Sequence, residues 1–200
     1  MEVRLIKNSI LNSITYIISN NSCSEAYLID CGDIKPILKY IESKHLILIG
    51  VFITHGHYDH IYGLEELLIK YPDIKVFGTA EAINALSNSD KNMSYMYDLE
   101  HEYEIEQSKI NRIELSNDDR VTILGESVLC LFTPGHDVDC MSYLICDNLF
   151  TGDAYNPDFE VFTKWSNSNH IEAKINEEFL KNLVVNKKLN IYPGHYKKDD

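Results

Sequence analysis

Three histidines and one aspartate crowd a single short segment, Thr54-His55-Gly56-His57-Tyr58-Asp59-His60. Imidazole nitrogens and carboxylate oxygens are the ligands that zinc, iron and manganese take in proteins. A continuous apolar run over residues 47–53 precedes the segment, as expected of a strand buried on both faces, and apolar residues recur at helical spacing after it. The segment is therefore predicted to be a strand-to-helix loop. Its side chains can face one pocket from two directions, which favours two adjacent metal positions over one closed site.

Three further candidate ligands, His136, Asp153 and His195, also follow predicted strands, and a glycine precedes each of them. One such residue alone would usually be an ordinary loop or capping residue. Together the candidates form a nitrogen-and-oxygen set that suits Zn, Fe or Mn. The set is His55, His57, Asp59, His60, His136, Asp153 and His195. The remaining histidines, His45, His101 and His170, lack this pattern and are predicted to lie at the surface or at helix ends.

The elements that must position these residues alternate along the chain. Strands are predicted over residues 2–7, 14–18, 26–30, 47–53, 75–77, 110–115, 120–124, 127–133, 142–146, 148–151 and 189–192. Helices are predicted over residues 33–44, 59–71 and 79–86, the first capped by Asp33 and the third by Thr79. A last amphipathic helix is predicted to pack through an apolar face of Ile171, Ile175, Phe179 and Leu183.

Residues 87–108 interrupt this alternation with a polar stretch that carries aromatic and thioether side chains. It is predicted to be an inserted loop or short helix. Its large side chains, Met93, Tyr95, Met96, Tyr97 and Tyr103, either form a lid over a substrate or pack onto the body of the protein. Packing is the more common fate of such residues.

Length and composition limit the classes of protein to consider. The 200 residues are predicted to form one domain, residues 1–200. A net charge of -13, from 18 Lys plus Arg against 31 Asp plus Glu, argues against nucleic acid as a partner. Five cysteines without CxxC spacing favour a reduced, cytoplasmic setting. With no export signal and no apolar run near the roughly 20 residues of a membrane span, a soluble protein is expected. A homo-oligomer is left open.

The order and spacing of the candidate ligands closely resemble the metallo-β-lactamase superfamily, whose signature is His-x-His-x-Asp-His followed by a distant His, an Asp and a last His. The segment Leu28-Ile29-Asp30-Cys31-Gly32 is also similar to the strand and turn that precede the metal strand in that family. The resemblance spans nearly the whole chain. It implies an α/β fold of the αββα sandwich type, with two mixed sheets face to face, helices outside and the metals at one sheet edge.

The resemblance also implies two divalent metal ions, most readily zinc. His55, His57 and His136 would hold the first, Asp59, His60 and His195 the second, and Asp153 would bridge them. A water shared by two cations supplies hydroxide near neutral pH, and Asp59 would orient it as a catalytic residue. The implied activity is hydrolysis of a small-molecule thioester or ester, similar to that of hydroxyacylglutathione hydrolases (glyoxalase II). Tyr155 either donates a hydrogen bond to the substrate oxyanion, as in related lactonases, or packs.

The chain also departs from that pattern. Only five residues follow His195, so the helical C-terminal domain of the glutathione thioester hydrolases is expected to be missing. Asp137-Val138-Asp139-Cys140 follows His136 and makes the pocket rim more acidic, and Cys140 is expected to be a buried structural thiol. The first alternative is a persulfide dioxygenase that binds one iron through residues matching His55, His136 and Asp153. A lactonase, a nuclease and a non-catalytic metal-binding or partner-binding domain are further alternatives.

Overall fold

A six-stranded mixed sheet forms the first half of the protein, as seen in a computed structural model that describes residues 1–97 and 102–197. Its strands follow the order of the chain: β1 (Glu2–Lys7), β2 (Ile14–Ser19), β3 (Glu25–Ile29), β4 (Ile47–Phe52), β5 (Lys75–Gly78) and β6 (Asn111–Glu114). The first three strands pair antiparallel, which confirms the predicted opening meander, and β3 to β6 pair in parallel. Residue His101 lies outside the described residues.

A five-stranded mixed sheet forms the second half. In chain order its strands are β7 (Arg120–Ile123), β8 (Glu126–Phe132), β9 (Met141–Ile145), β10 (Asn148–Gly152) and β11 (Asn190–Pro193). Their spatial order is β11-β10-β9-β8-β7, and only the β10–β11 pair is parallel. The long excursion between β10 and β11 lets the chain return beside β10, so two strand ends that carry candidate ligands become neighbours.

The two sheets pack face to face through an aromatic core. Phe52 of β4 contacts Tyr143 of β9 with ring centroids 5.1 Å apart, and Tyr16 of β2 contacts Phe150 of β10 at 5.4 Å. Edge-to-face aromatic pairs of this kind add to the free energy gained by burying the rings. Helices cover the outer faces, so the αββα sandwich expected from the sequence is confirmed.

The helices are α1 (Ile34–Ser43), α2 (Tyr58–Ile61), α3 (Leu64–Lys70), α4 (Ala80–Ala85) and α5 (His170–Lys187). Thr79 caps α4 as predicted, since its side chain accepts a hydrogen bond from Ala82 N–H. Asp33 precedes α1 but makes no capping bond, because its carboxylate binds Ser9 instead. The single helix predicted over residues 59–71 is divided at Gly63, whose backbone lies directly against the carbonyl of Gly32.

The predicted packing face of α5 is wrong at three of its four residues. Ile171, Ile175 and Phe179 are exposed, whereas Leu183 packs partly buried against the core, and Ala173 and Leu180 are the buried residues of this helix. The reason is a close backbone approach: a side chain at Gly135 would collide with Ala173, so the helix docks through its small residue. Among the described residues, no helix is both long and apolar enough to cross a bilayer.

Candidate metal centre

The seven candidate ligands converge on one end of the sandwich, beyond the ends of four strands. One ligand atom from each member lies within 4.8 Å of the others in each of three overlapping groups of three. The groups are His55, His57 and His136; Asp59, His60 and His195; and His55, His60 and Asp153. Asp153 Oδ2 also lies 3.4 Å from His136 Nε2 and 3.2 Å from His195 Nε2. The structure therefore brings all seven candidate ligands together, and two of the groups match the triplets that the resemblance implies.

In the first group, acceptors outside the centre fix which ring nitrogen carries the hydrogen. The Nδ1 of His136 lies 2.8 Å from the carbonyl oxygen of Phe162, which can only accept, so this nitrogen donates and Nε2 keeps its lone pair. The Nε2 of His57 donates in the same way to Asp137 Oδ2 at 2.9 Å. The unprotonated nitrogens, His136 Nε2 and His57 Nδ1, face each other at 3.1 Å.

His55 is oriented by a relay of two residues. The hydroxyl of Thr54 donates to Asp30 Oδ2 at 2.8 Å and lies 3.1 Å from His55 Nδ1. A hydroxyl has one hydrogen, so Thr54 must accept from His55 Nδ1. The lone pair of His55 Nε2 therefore points into the centre.

The second group follows the same rule. His60 Nδ1 donates to Asp30 Oδ2 at 2.8 Å, and His195 Nδ1 donates to the carbonyl of Leu11 at 2.9 Å. Their Nε2 atoms lie 3.4 Å and 3.3 Å from Asp59 Oδ2. In all five imidazoles one ring nitrogen is thus engaged outside the centre and the other faces inward, and partners of this kind are typical behind metal-binding histidines.

Two buried polar atoms test whether this donor set fits a metal. Within residues 1–97 and 102–197, His55 Nε2 and Asp59 Oδ2 make no hydrogen bond, although His195 Nε2 and His60 Nε2 lie 3.3 Å and 3.4 Å from Asp59 Oδ2. A buried polar atom without a hydrogen bond costs about 1–3 kcal/mol. A divalent cation beside each would satisfy both, so the residues present fit a metal in each group.

The pKa shifts of the residues in the centre also fit a site that binds cations. Burial disfavours charge on His60, yet Asp59, Asp153 and Asp30 outweigh it and raise its pKa to about 10. Burial would raise the pKa of Asp153, but His195, His60 and His136 hold it well below its usual value. The pKa of His55 is lowered, chiefly by burial and then by His60. In the metal-free protein, a proton on His60 therefore offsets part of the negative charge that cations would otherwise offset.

His195, the last candidate ligand in the chain, can approach the centre because Gly194 before it has no side chain. A Cβ atom at Gly194 would collide with Asp153 Oδ1 and would lie 2.8 Å from His60 Cε1. The glycine before His195 is thus needed for close approach to two candidate ligands at once.

Three acidic residues around the centre were not among the sequence-predicted site residues. Asp30, Asp137 and Asp139 are all buried, and Asp139 accepts a hydrogen bond from Gly56 N–H at 2.8 Å. Asp30 follows a buried strand just before a glycine turn, as Asp153 follows β10, so the strand-end pattern could have found it. No comparable signal distinguishes Asp137 from a surface acid.

Other sequence-predicted residues lie away from the centre. Tyr155 packs in the cluster beneath α5, near Leu149 and Leu180, and does not line the cavity above the metal centre. This favours packing over an oxyanion contact. Cys140 is buried, and burial raises its pKa well above its usual value, in keeping with a structural thiol. His45 and His170 are exposed, at the end of α1 and the start of α5.

Comparison with known proteins agrees with this geometry. Residues 13–195 match the family model described as the metallo-beta-lactamase superfamily. Hydroxyacylglutathione hydrolase of Photobacterium profundum is 32% identical over 135 residues, which are 67% of this chain and 44% of that protein. The chain spans about half the length of the curated relatives it matches.

Two solved structures share the fold. The BLEG-1 B3 metallo-beta-lactamase superposes with a TM-score of 0.84 at 20% identity, covering 98% of this chain and 92% of that one. ETHE1 from Myxococcus xanthus superposes with a TM-score of 0.74 at 25% identity, covering 100% and 78%. The family match and the donor clusters together imply the use of divalent metal. The chain belongs to the metallo-β-lactamase superfamily.

Proposed function

We propose that this protein is a metal-dependent hydrolase that cleaves a thioester or ester of a small molecule. The observation that carries the proposal is the convergence of five imidazoles, each with one ring nitrogen facing inward, on Asp59 and Asp153 in overlapping groups of three possible ligands. The similarity to relatives named hydroxyacylglutathione hydrolase supports the reaction class.

Two cations are proposed, with zinc first and iron or manganese as alternatives. His55, His57 and His136 would hold one, Asp59, His60 and His195 the other, and Asp153 would contact both. Bound there, the cations would polarise the substrate carbonyl, stabilise the leaving sulfur or oxygen, and lower the pKa of a shared water to about 7.

The residues of the chain would position the reactants. Asp59 Oδ2 is buried and unpaired, 3.3 Å from His195 Nε2, so it can accept a hydrogen bond from the attacking water and hold it toward the carbonyl carbon. Asp137 and Asp30 would keep the histidines in one tautomer throughout the reaction. Five of the candidate ligands line a cavity, through which substrate would reach the centre.

A mononuclear iron persulfide dioxygenase is the second candidate, with His55, His136 and Asp153 as the iron ligands. The likeness to ETHE1 over the whole chain fits this alternative. Two histidines and one carboxylate form the ligand set typical of non-haem iron oxygenases. A lactonase gains no support from Tyr155, which packs in the core.

Metal content and turnover, measured on the same preparation, test the proposal. The protein is purified without added metal, analysed for its elements, and assayed against a panel of thioesters, esters and lactones. About two metal ions per chain with turnover would support the hydrolase. One iron per chain, with oxygen-dependent sulfite formation from a persulfide and no ester cleavage, would replace it by the dioxygenase.

A further inference from the structure

A cavity of about 730 Å³ opens above the metal centre, and its walls are of a different character from its floor. The floor consists of candidate ligands: His57, Asp59, His136, Asp153 and His195. The volume lies within the range of small-molecule sites, roughly 300–1,000 Å³. What the walls are made of therefore bears on which substrates can enter.

One wall is an aromatic loop that is fixed to the metal centre. Trp165 lies edge-on to His57 at 6.4 Å between ring centroids, and Phe162 lies 5.0 Å from Trp165. The carbonyl of Phe162 accepts from His136 Nδ1, and Ser168 Oγ donates to the carbonyl of His136 at 2.6 Å. Phe162 is nonetheless 44% exposed, so a large apolar surface is held open beside the reaction centre.

A second part of the cavity wall comes from the inserted segment that follows α4. Met93, Met96 and Tyr97 line the cavity, and Met96 is 52% exposed. Tyr97 packs on Tyr58 at 4.8 Å between ring centroids, which ties the segment to the metal-binding loop. Thioether side chains adapt to irregular apolar ligands, and exposed apolar surface of this kind marks a binding site.

Apart from the histidines, the charged side chains that line the cavity in the described residues are acidic. Within residues 1–97 and 102–197, no lysine or arginine lines it, and Glu160 adds an acidic group to the wall. Lys7 contacts the lining residue Tyr196, 4.3 Å from its ring centroid, but is not itself part of the lining. A substrate that carries carboxylates, as glutathione does, would meet no described cation on these walls to offset its charge.

The geometry points to a substrate whose acyl part is apolar, a medium-length alkyl chain or a phenyl group, and whose leaving group is uncharged. The acyl group would lie between the Phe162–Trp165 wall and the Met93–Met96 wall. The reaction in this inference rests on the proposed function, whereas the binding preference does not.

Binding can be measured without turnover because Trp165 is the sole tryptophan of the chain. N-hexylacetamide and S-hexylglutathione carry the same hexyl group on an uncharged and on an anionic carrier, and neither is a thioester. With metal-loaded protein, N-hexylacetamide is expected to change Trp165 fluorescence saturably and to bind at least about tenfold more tightly than S-hexylglutathione.

Two phenylalanines of equal exposure provide a matched pair of variants. Phe162→Ala removes a wall residue and is expected to weaken N-hexylacetamide binding about tenfold. Phe179→Ala removes a ring that is 45% exposed on α5, outside the cavity, and should leave binding unchanged.

Turnover of acyl N-acetylcysteamine thioesters tests the substrate class. Each buried methylene favours binding by about threefold to fourfold, so kcat/KM is expected to rise on the order of 100-fold from acetyl to hexanoyl. The hexanoyl thioester of glutathione should react more slowly than that of N-acetylcysteamine.

The hydrolase proposal and the inferred preference for an apolar, uncharged substrate can be refuted independently. Saturable, Phe162-dependent binding of N-hexylacetamide without hydrolysis of any ester would retain the binding preference and refute the hydrolase. Thioester hydrolysis that ignores acyl length, with no Trp165 response, would retain the hydrolase and refute the apolar site. Tighter binding of S-hexylglutathione than of N-hexylacetamide would also overturn the inference.

Discussion

Asp30 is predicted to control the second metal position although it touches no metal. Its buried carboxylate accepts three hydrogen bonds of 2.8 Å, from Thr54 N–H, Thr54 Oγ1 and His60 Nδ1. Its backbone is left-handed, with φ of 58°, a conformation that asparagine also tolerates. Asp30→Asn therefore keeps the shape and the backbone and changes only the hydrogen bonding.

The asparagine cannot satisfy all three donors. If the NH₂ group of the asparagine takes the place of Oδ2, this group faces His60 Nδ1, and both are donors. The ring hydrogen of His60 must then move to Nε2, so this nitrogen no longer offers a lone pair to a metal. With the NH₂ group in place of Oδ1, it opposes Thr54 N–H. Either way one buried, charge-assisted hydrogen bond is lost, at about 2–4 kcal/mol of unfolding free energy. Metal affinity of the second group is expected to fall about 10- to 100-fold.

Asp33→Asn is the matched control. That carboxylate also accepts three hydrogen bonds, from Ser9 N–H, Ser9 Oγ and Tyr62 OH, but it is half-buried and contacts no candidate ligand. Urea unfolding of the metal-free protein measures stability, and equilibrium competition with a chromogenic chelator measures metal affinity. The reasoning is refuted if Asp30→Asn binds two metal ions as tightly as the unaltered protein, or if Asp33→Asn loses as much affinity.

Four other changes have expected outcomes. Asp139→Asn should stabilise the metal-free protein at neutral pH by about 1–3 kcal/mol, because burial, then Asp137, raises the pKa of the carboxyl to about 6. Because this pKa lies above the unfolded value of about 4, ionised Asp139 destabilises the native state increasingly as pH rises from about 4 to 6. The difference in unfolding free energy between Asp139→Asn and the unaltered protein, measured with urea, should therefore vanish below about pH 4. Chelator competition should find metal affinity rising with pH between about 7 and 9, since metal must displace a proton from His60, whose pKa is about 10. Gly194→Ala should lose metal, by elemental analysis, while circular dichroism stays native, because its Cβ would enter the space of a candidate ligand. Tyr155→Phe should leave kcat unchanged, and a fall of more than about tenfold would restore the oxyanion role.

The candidate ligands could be predicted from the sequence because each follows a run of apolar residues that predicts a strand. The apolar run over residues 47–53 predicts a strand that is buried toward its end, and residues 50–53 are buried in the structure, so the end of that run fixes where His55 and His57 emerge. The same argument places His136 after β8 and Asp153 after β10. Strands β8, β10 and β11 run in the same direction, so their C-terminal ends share one edge of the second sheet and their ligands converge.

Apart from Asp30, which also follows a buried strand, the hydrogen-bond partners of those ligands could not be predicted in this way. Phe162 orients His136 through a backbone carbonyl, which any residue type could supply. Leu11 does the same for His195 across 184 positions of sequence. The docking face of α5 was missed for a related reason: contact with Gly135 selects a small residue, Ala173, and apolar periodicity does not measure how closely two backbones approach.

Ligands can be predicted from the sequence and their surroundings cannot, so the sequence indicates a metal-dependent reaction more clearly than it indicates a substrate. Metal chemistry depends on residue types that few other roles require, held at strand ends by the core. The substrate preference that we infer depends on Phe162, Trp165, Met93 and Met96, which are ordinary apolar residues on loops. Hydrogen bonds to His136 hold the loop of Phe162 and Trp165 in place. Replacing the exposed ring of Phe162 should therefore change which substrate is bound without changing metal affinity, because His136 is oriented by the carbonyl at that position and not by its side chain.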